Sequence, residues 1–433
     1  MGRNSSAPQE RAILVGVILR GMSREVVEDH IAELERLTET AGGTVVERLV
    51  QERDRLDAAY FVGRGKAEEI GAAAKANRAD LVIFDDDLSP AQVRNLEKMI
   101  ETKVVDRSGL ILDIFARRAR SREARTQVEL AQLKYLLPRL TRRWTHLSRQ
   151  VGGIGVRGIG ETQIEIDRRL ISRRIARLQA DLTRIERGRN VRRQGRRGVM
   201  KGALIGYTNS GKSTLLNALT RAEAFVEDRL FATLDPLVRR LEGGNHAPIL
   251  LIDTVGFIRK LPHHLVASFR STLEEAVDAD FLVHVVDISH PGYEEQMAVT
   301  AQVLSEVEMD SKPAVLVFNK LDAVAEPGII ERARRIHPEA LFISAARGTG
   351  LEEARSTLAA LGAGEQVERR IRLRTKDSEA IARIYSNAEV LDARYHDGYV
   401  DLVFRTSRVW ASALSRSVRR SAEPLVEPKE LTS

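Results

Sequence analysis

The feature that most constrains the fold is the octapeptide GYTNSGKS, Gly206–Ser213. It lies between the apolar run GALIGY and the helix-like stretch STLLNALT. It fits the pattern G-x-x-x-x-G-K-[ST], in which a strand ends in a loop whose backbone N–H groups turn inward around an anion. Glycine is required where a Cβ would obstruct that ring of amides, and the helix that follows favours negative charge at its N-terminus. Four further apolar runs of strand length follow: PILLIDT, FLVHVVD, AVLVFNK and ALFISA. The expectation is an α/β domain with a mostly parallel sheet and a ligand at the C-terminal ends of its strands.

The chemistry of the loop points to a nucleoside triphosphate. Gly206, Tyr207, Thr208, Asn209, Ser210, Gly211, Lys212, Ser213 and Thr214 are expected to surround the phosphates. Lys212 would neutralise the β- and γ-phosphates, and the Ser213 hydroxyl would ligate Mg²⁺. DTVG (Asp253, Thr254, Val255, Gly256) closes PILLIDT. There Asp253 can hold Mg²⁺ through water and the Gly256 amide can meet the γ-phosphate. NKLD (Asn319, Lys320, Leu321, Asp322) ends AVLVFNK. The Asp322 carboxylate can accept from guanine N1–H and N2–H₂, while Asn319 meets the base edge and Lys320 packs beside it. Ser344, Ala345 and Ala346 end the last strand and can offer backbone N–H to guanine O6. In this order, each at a strand end, these strings identify the ligand as GTP and the products as GDP and phosphate. Asn209 has two readings, a K⁺ ligand near the β- and γ-phosphates or an amide that satisfies loop hydrogen bonds.

A second glycine pattern, Gly153-x-Gly155-x-x-Gly158, has the spacing of a dinucleotide-binding turn but not its setting. LTRRWTHLSRQ before it is polar and basic, without strand alternation, and a helical pattern stands on each side. Leu130, Leu133, Leu137, Leu140 and Trp144 recur at helical spacing, with Pro138 expected to kink that helix. Ile164, Ile171, Ile175, Leu178, Leu182 and Ile185 make a second seam. The pair reads as an antiparallel helical hairpin with a glycine-rich tip. Its charge is distinctive. Arg117–Arg197 holds 23 Lys/Arg against 7 Asp/Glu, a net +16 in a chain whose total is +7, so the remainder is acidic by 9. Such an excess attracts polyanions. Arg142, Arg143, Arg149 and Arg157 are the candidate phosphate contacts, with Gly153, Gly155, Gly158 and Gly160 letting the tip backbone approach an RNA surface.

Upstream, AILVGVIL, TVVERLV and LVIFDDD alternate with three helical stretches, two of which begin at the N-cap candidates Ser23 and Ser89. The expected organisation is a flexible stretch over 1–10, an N-terminal α/β domain over 11–116, the basic hairpin and linker over 117–198, a P-loop domain over 199–363, and a small α+β domain and tail over 364–433. The absence of cysteine excludes disulfides, cysteine metal sites and thiol catalysis. No apolar run approaches the roughly 18–20 residues that span a bilayer. The expectation is a cytoplasmic monomer, peripheral to a membrane at most. His263 and His264 are read as exposed loop residues without a role.

The motifs YFVGRGKAEEI, FDDDLSPAQVRNLE, TQVELAQLKYLLPRL and GGIGVRGIGETQIEIDRR together resemble the HflX family of ribosome-associated GTPases, over residues about 11 to 362. Residues 200–362 look like a translation-factor-class GTPase. Thr233 in FATLDP matches the switch threonine that coordinates Mg²⁺ when the γ-phosphate is present, with Phe231, Ala232, Leu234 and Asp235 beside it. Lys212, Thr233 and Gly256 are then the catalytic set. Where many relatives of the fold carry a glutamine after the DxxG glycine, this chain has Phe257, so slow intrinsic hydrolysis stimulated by the ribosome is expected. The resemblance implies that the hairpin enters the large ribosomal subunit towards the peptidyl transferase centre, and that the protein splits or rescues stalled or idle ribosomes, hydrolysis driving release. Two other readings stand beside it: an RNA-remodelling NTPase, and a checkpoint GTPase of large-subunit assembly.

Overall fold

The computed structural model describes residues 9–140, 163–194, 200–220, 230–243, 246–260, 276–309, 312–363, 366–396 and 398–407. The chain forms two compact units. One comprises Met1–Ile185 with Arg229–Leu234 and Lys260–Phe269. The other comprises Glu186–Asp228, Asp235–Arg259 and Arg270–Ser433.

The first unit is built on four parallel strands, β1 (Arg11–Leu19), β2 (Thr44–Arg53), β3 (Leu81–Phe84) and β4 (Lys103–Asp106), in the order β2-β1-β3-β4. A parallel sheet covered on both faces needs continuous apolar strands. Accordingly β1 buries seven consecutive residues and β3 all four. The helices start where the sequence provides caps. Ser23 accepts the Val26 N–H ahead of α1 (Arg24–Thr40). Ser89 and Gln92 form a reciprocal capping box ahead of α3 (Pro90–Ile100), with Pro90 in the first turn. Between them α2 (Arg64–Ala76) packs Ala67 and Ile70 against Val82, Phe84, Leu96 and Ile100.

After α4 (Arg107–Arg118), α5 (Arg122–Leu136) does not continue through Pro138 as a kinked helix. It stops at Leu136, and Pro138 sits in a 3₁₀ turn over Leu137–Arg139, since the missing N–H removes the next helical bond. The 32-residue α6 (Gln163–Gln194) is about 48 Å long. Ile171 and Leu178 are its buried seam positions. Arg174 of α6 holds Glu129 of α5 through two bonds of 2.7 and 2.9 Å. Trp144 and the glycine-rich tip lie outside the described residues, as do His263 and His264.

The second unit carries a six-stranded sheet in the order β10-β9-β8-β5-β7-β6. Its strands are β5 (Lys201–Ile205), β6 (Leu237–Gly243), β7 (His246–Asp253), β8 (Phe281–Asp287), β9 (Ala314–Asn319) and β10 (Leu341–Phe342). All pairs are parallel except β6 with β7. The five expected strands are present; β6 is an additional antiparallel edge. Beyond it, β11 (Gln366–Arg374), β12 (Glu389–His396) and β13 (Tyr399–Ser407) make an antiparallel sheet ordered β11-β13-β12. Alternate residues Ile371, Leu373, Val400, Leu402 and Phe404 pack against Ile384 of the helix Ser378–Asn387. Among the described residues no helix is long and apolar enough to cross a membrane.

Candidate nucleotide site

β5 lies between β7 and β8, so the loop that leaves it emerges at the middle of the sheet. Two glycines there are dictated by space as well as by φ. At Gly206 (φ 143°) a Cβ would stand 2.1 Å from the Val285 carbonyl oxygen. At Gly211 (φ 90°) it would stand 2.2 Å from Asn319 Nδ2. Asn209 is left-handed as well (φ 60°), a conformation asparagine adopts more readily than other non-glycine residues.

α7 (Lys212–Thr220) begins where the loop ends. The Lys212 ammonium is buried and donates to the carbonyls of Gly206 (3.1 Å) and Tyr207 (2.7 Å). Burial pushes its pKa down to about 8; Asp253 opposes that shift and Lys320 adds to it. Ser213 Oγ donates to Asp253 Oδ2 at 2.5 Å, which sets a hydroxyl and a carboxylate side by side at the mouth of the loop. Thr254 turns inward and donates to the Leu204 carbonyl at 2.7 Å. Phe257 is 2% exposed and packs among Ala203, Ile205, Ala279 and Leu282, so its ring belongs to the core.

The NKLD and SAA strings converge as well. Lys320 has φ 66°, and its ammonium reaches Asp287 Oδ2 at the end of β8 (2.7 Å). Asp322 Oδ1 accepts from Ser344 Oγ at 2.5 Å. That bond chiefly, with a backbone bond and the nearby Arg347 and Lys320, holds the Asp322 carboxyl below its usual range. Asn319, read from sequence as a base-edge contact, has its amide stretched between two loops. Oδ1 accepts the Ala345 N–H (2.9 Å) and Nδ2 donates to the Ser210 carbonyl (3.0 Å).

The P-loop, DTVG, NKLD and SAA residues therefore stand at one sheet edge of the second unit. The FATLDP residues are placed differently. Phe231 and Leu234 are each 2% exposed, and the Phe231 ring stands edge-on to Phe115 of α4, centroids 4.7 Å apart. The Phe231 ring thus serves the packing of the first unit, to which Ala232, Thr233 and Leu234 also belong, while Asp235 belongs to the second. Arg142, Arg143, Arg149, Gly153, Gly155, Arg157, Gly158 and Gly160 lie outside the described residues. Two features could not be read from the sequence. His284 of β8 is paired in register with Ile205 and has no motif to mark it, and the hydroxyl of Tyr207, a residue expected in the phosphate loop, accepts the Arg259 N–H at 2.9 Å.

Three family models cover most of the chain: a GTP-binding GTPase N-terminal region over residues 28–116, a GTP-binding GTPase middle region over 118–196, and a 50S ribosome-binding GTPase over 201–320. The GTPase HflX of Escherichia coli K12 is 42% identical over 402 residues, 92% of this chain and 93% of that one. The GTPase HflX of Flavobacterium psychrophilum is 50% identical over 314 residues, 72% of this chain and 76% of its own. Among solved structures, a GTP-binding protein of the archaeon Sulfolobus solfataricus in complex with GDP is 25% identical. It covers 82% of this chain and 99% of its own, with a TM-score of 0.42. On its similarity to these relatives and family models the chain is a GTP hydrolase, and it belongs to the HflX family of GTPases.

Proposed function

We propose that this GTPase binds the large ribosomal subunit in its GTP state, through the basic segment, and splits stalled or idle ribosomes, with hydrolysis driving its release. The observation that carries the reading is the +16 charge of Arg117–Arg197, concentrated away from the nucleotide-binding strings. Much of it lies on α6, where Arg168, Arg169, Arg173 and Arg177 are exposed or partly exposed. A long helix with so polar a surface fits an extended ribosomal RNA contact better than a core. The family description over 201–320 points to the same partner.

In this reading the loop amides and Lys212 hold the phosphates, and Asp322 selects guanine through two hydrogen bonds to its carboxylate. The Asn319 amide braces the loops and keeps its second N–H for the base edge. The adjacent Ser213 and Asp253 oxygens are hard donors that suit Mg²⁺, which would neutralise charge on the phosphate oxygens. Thr233 and Gly256 report the third phosphate to the two switch segments. The Phe257 side chain has no hydrogen-bonding group with which to orient an attacking water, and it is buried besides, so stimulation comes from the partner. The left-handed backbone at position 209 accounts for asparagine there; faster hydrolysis in K⁺ than in Na⁺ would add a metal-binding part. The chain acts as a cytoplasmic monomer, with functional boundaries near residues 116, 198 and 363. Splitting needs no motor, since preference for the isolated subunit over the intact ribosome shifts that equilibrium by itself.

The test is co-sedimentation with intact ribosomes and with large subunits, in GTP, a non-hydrolysable analogue, GDP or no nucleotide. Large-subunit binding with the analogue, accompanied by loss of intact ribosomes, is the expected result. Equal binding in every nucleotide state overturns the switch.

A further inference from the structure

We infer that Tyr207 is a positioning residue whose hydroxyl sets the preference of this site between two and three phosphates. The inference deepens the proposed nucleotide site and rests on it.

Residues Gly256–Arg259 run directly along the phosphate loop and are joined to it at three points. The Phe257 N–H donates to the Gly206 carbonyl (3.0 Å), and the Thr208 N–H donates to the Phe257 carbonyl (2.7 Å). The third point is the Arg259 N–H, donated to the Tyr207 hydroxyl at 2.9 Å, and it is the one that uses a side chain. Gly256 is pressed against the loop. A Cβ there would meet Thr208 Cα at 2.6 Å and Lys212 Nζ at 3.0 Å. The Tyr207 side chain is 4% exposed, and the neighbouring Phe257 and Ile258 are 2% and 0% exposed, so the segment is anchored on its apolar side too.

This arrangement spends on protein contacts what a terminal phosphate would require. In loops of this kind the amides cradle the α- and β-phosphates, and the lysine head extends towards the γ-phosphate. Here the Gly256 backbone stands over that lysine head, and the Thr208 amide is committed to Phe257. A diphosphate leaves these contacts in place, whereas a third phosphate has to lift Gly256–Phe257 off the loop. Every bond that holds the segment down therefore weakens triphosphate binding and leaves diphosphate binding unchanged. Only differential interaction with two states can shift their balance, and the Tyr207 hydroxyl bond has that property. One neutral hydrogen bond corresponds to a change of about 2- to 10-fold in relative affinity.

The test is the pair of dissociation constants for GDP and for a non-hydrolysable GTP analogue. They are measured on the full chain and on Tyr207→Phe, which keeps the ring and deletes the hydroxyl. The expected result is a ratio of the two affinities shifted about 2- to 10-fold in favour of the analogue, whatever change the two nucleotides share. In Tyr207→Leu, which also removes the ring, the ratio moves the same way even if both affinities fall. An unchanged ratio in Tyr207→Phe, or equal weakening of both nucleotides, overturns the inference and leaves Tyr207 a packing residue. A native chain that binds neither nucleotide overturns the site reading instead.

Discussion

His284 shows how burial and the Lys212 ammonium together set the charge of a residue that no motif marks. On β8, beside the strand that feeds the phosphate loop, its imidazole is pushed down to about 4 by burial, with the Lys212 ammonium adding in the same direction. It is therefore neutral at neutral pH. The folded pKa lies below the ordinary value of 6.5, so between about 6.5 and 4 the unfolded chain takes up a proton that the folded chain refuses. Stability is lost as pH falls through that window and levels off below it, the whole component being on the order of 3 kcal/mol. His284→Gln should flatten this component. The native chain's urea midpoint would fall relative to the variant's between pH 7 and 4.5, and parallel curves would contradict the assignment. What could be read from sequence at this scale was chemistry with a fixed spacing, as at Lys212, Ser213 and Asp322. What could not be read were contacts made by tertiary proximity. The Asn319 amide bonds a carbonyl 109 residues away and the Tyr207 hydroxyl an amide 52 residues away.

Among the elements, the end of β3 gathers a cluster of buried and partly buried charges. FDDD after β3 places Asp85 almost fully buried, where its carboxylate receives Arg107 Nη1 at 2.7 Å. Arg107, the first residue of α4, is 1% exposed and also holds the buried Glu33 of α1. Lys260 closes the outer side, with Nζ 2.7 Å from Asp85 and 2.5 Å from Asp86. One guanidinium thus joins a strand end to two helices. Arg107→Met should take the shared guanidinium from the buried Asp85 and Glu33, with Lys260 still paired to Asp85, and cost about 3–5 kcal/mol. A denaturant midpoint corresponding to less than about 1 kcal/mol of destabilisation would show that α1 and α4 hold without it. The same scale shows why some elements could be read and others could not. β1 and β3 are continuous apolar runs, and α1 and α3 begin at capping serines. β6, by contrast, is the edge strand LVRRLEG, whose consecutive arginines interrupt both the alternating and the continuous apolar pattern. β12 is a register-shifted edge with few buried residues, so burial left little mark on its composition.

For the whole molecule, the uneven distribution of charge matters more than the total. The net charge of +7 describes no part of the chain, because a +16 segment is offset by an acidic remainder. If that segment tracks RNA phosphates, its affinity must carry the signature of counterion release, and the signature must scale with the number of arginines engaged. Arg169, Arg173 and Arg177 repeat every fourth residue along α6 and so share a face. Replacing all three with glutamine should lower the slope of log affinity against log salt by roughly 0.7–0.9 for each phosphate left without its arginine, about 2–3 in all. The measurement is large-subunit binding across a KCl series, with the non-hydrolysable GTP analogue present throughout. Weaker binding at low salt with an unchanged slope would mean that the substitutions had disturbed the helix rather than freed phosphates. An unchanged affinity and slope would place the RNA-binding arginines elsewhere in the basic segment. A reduced slope with normal GDP binding is the result that joins α6 to the ribosome, because it separates removal of charge at the RNA face from damage to the nucleotide site.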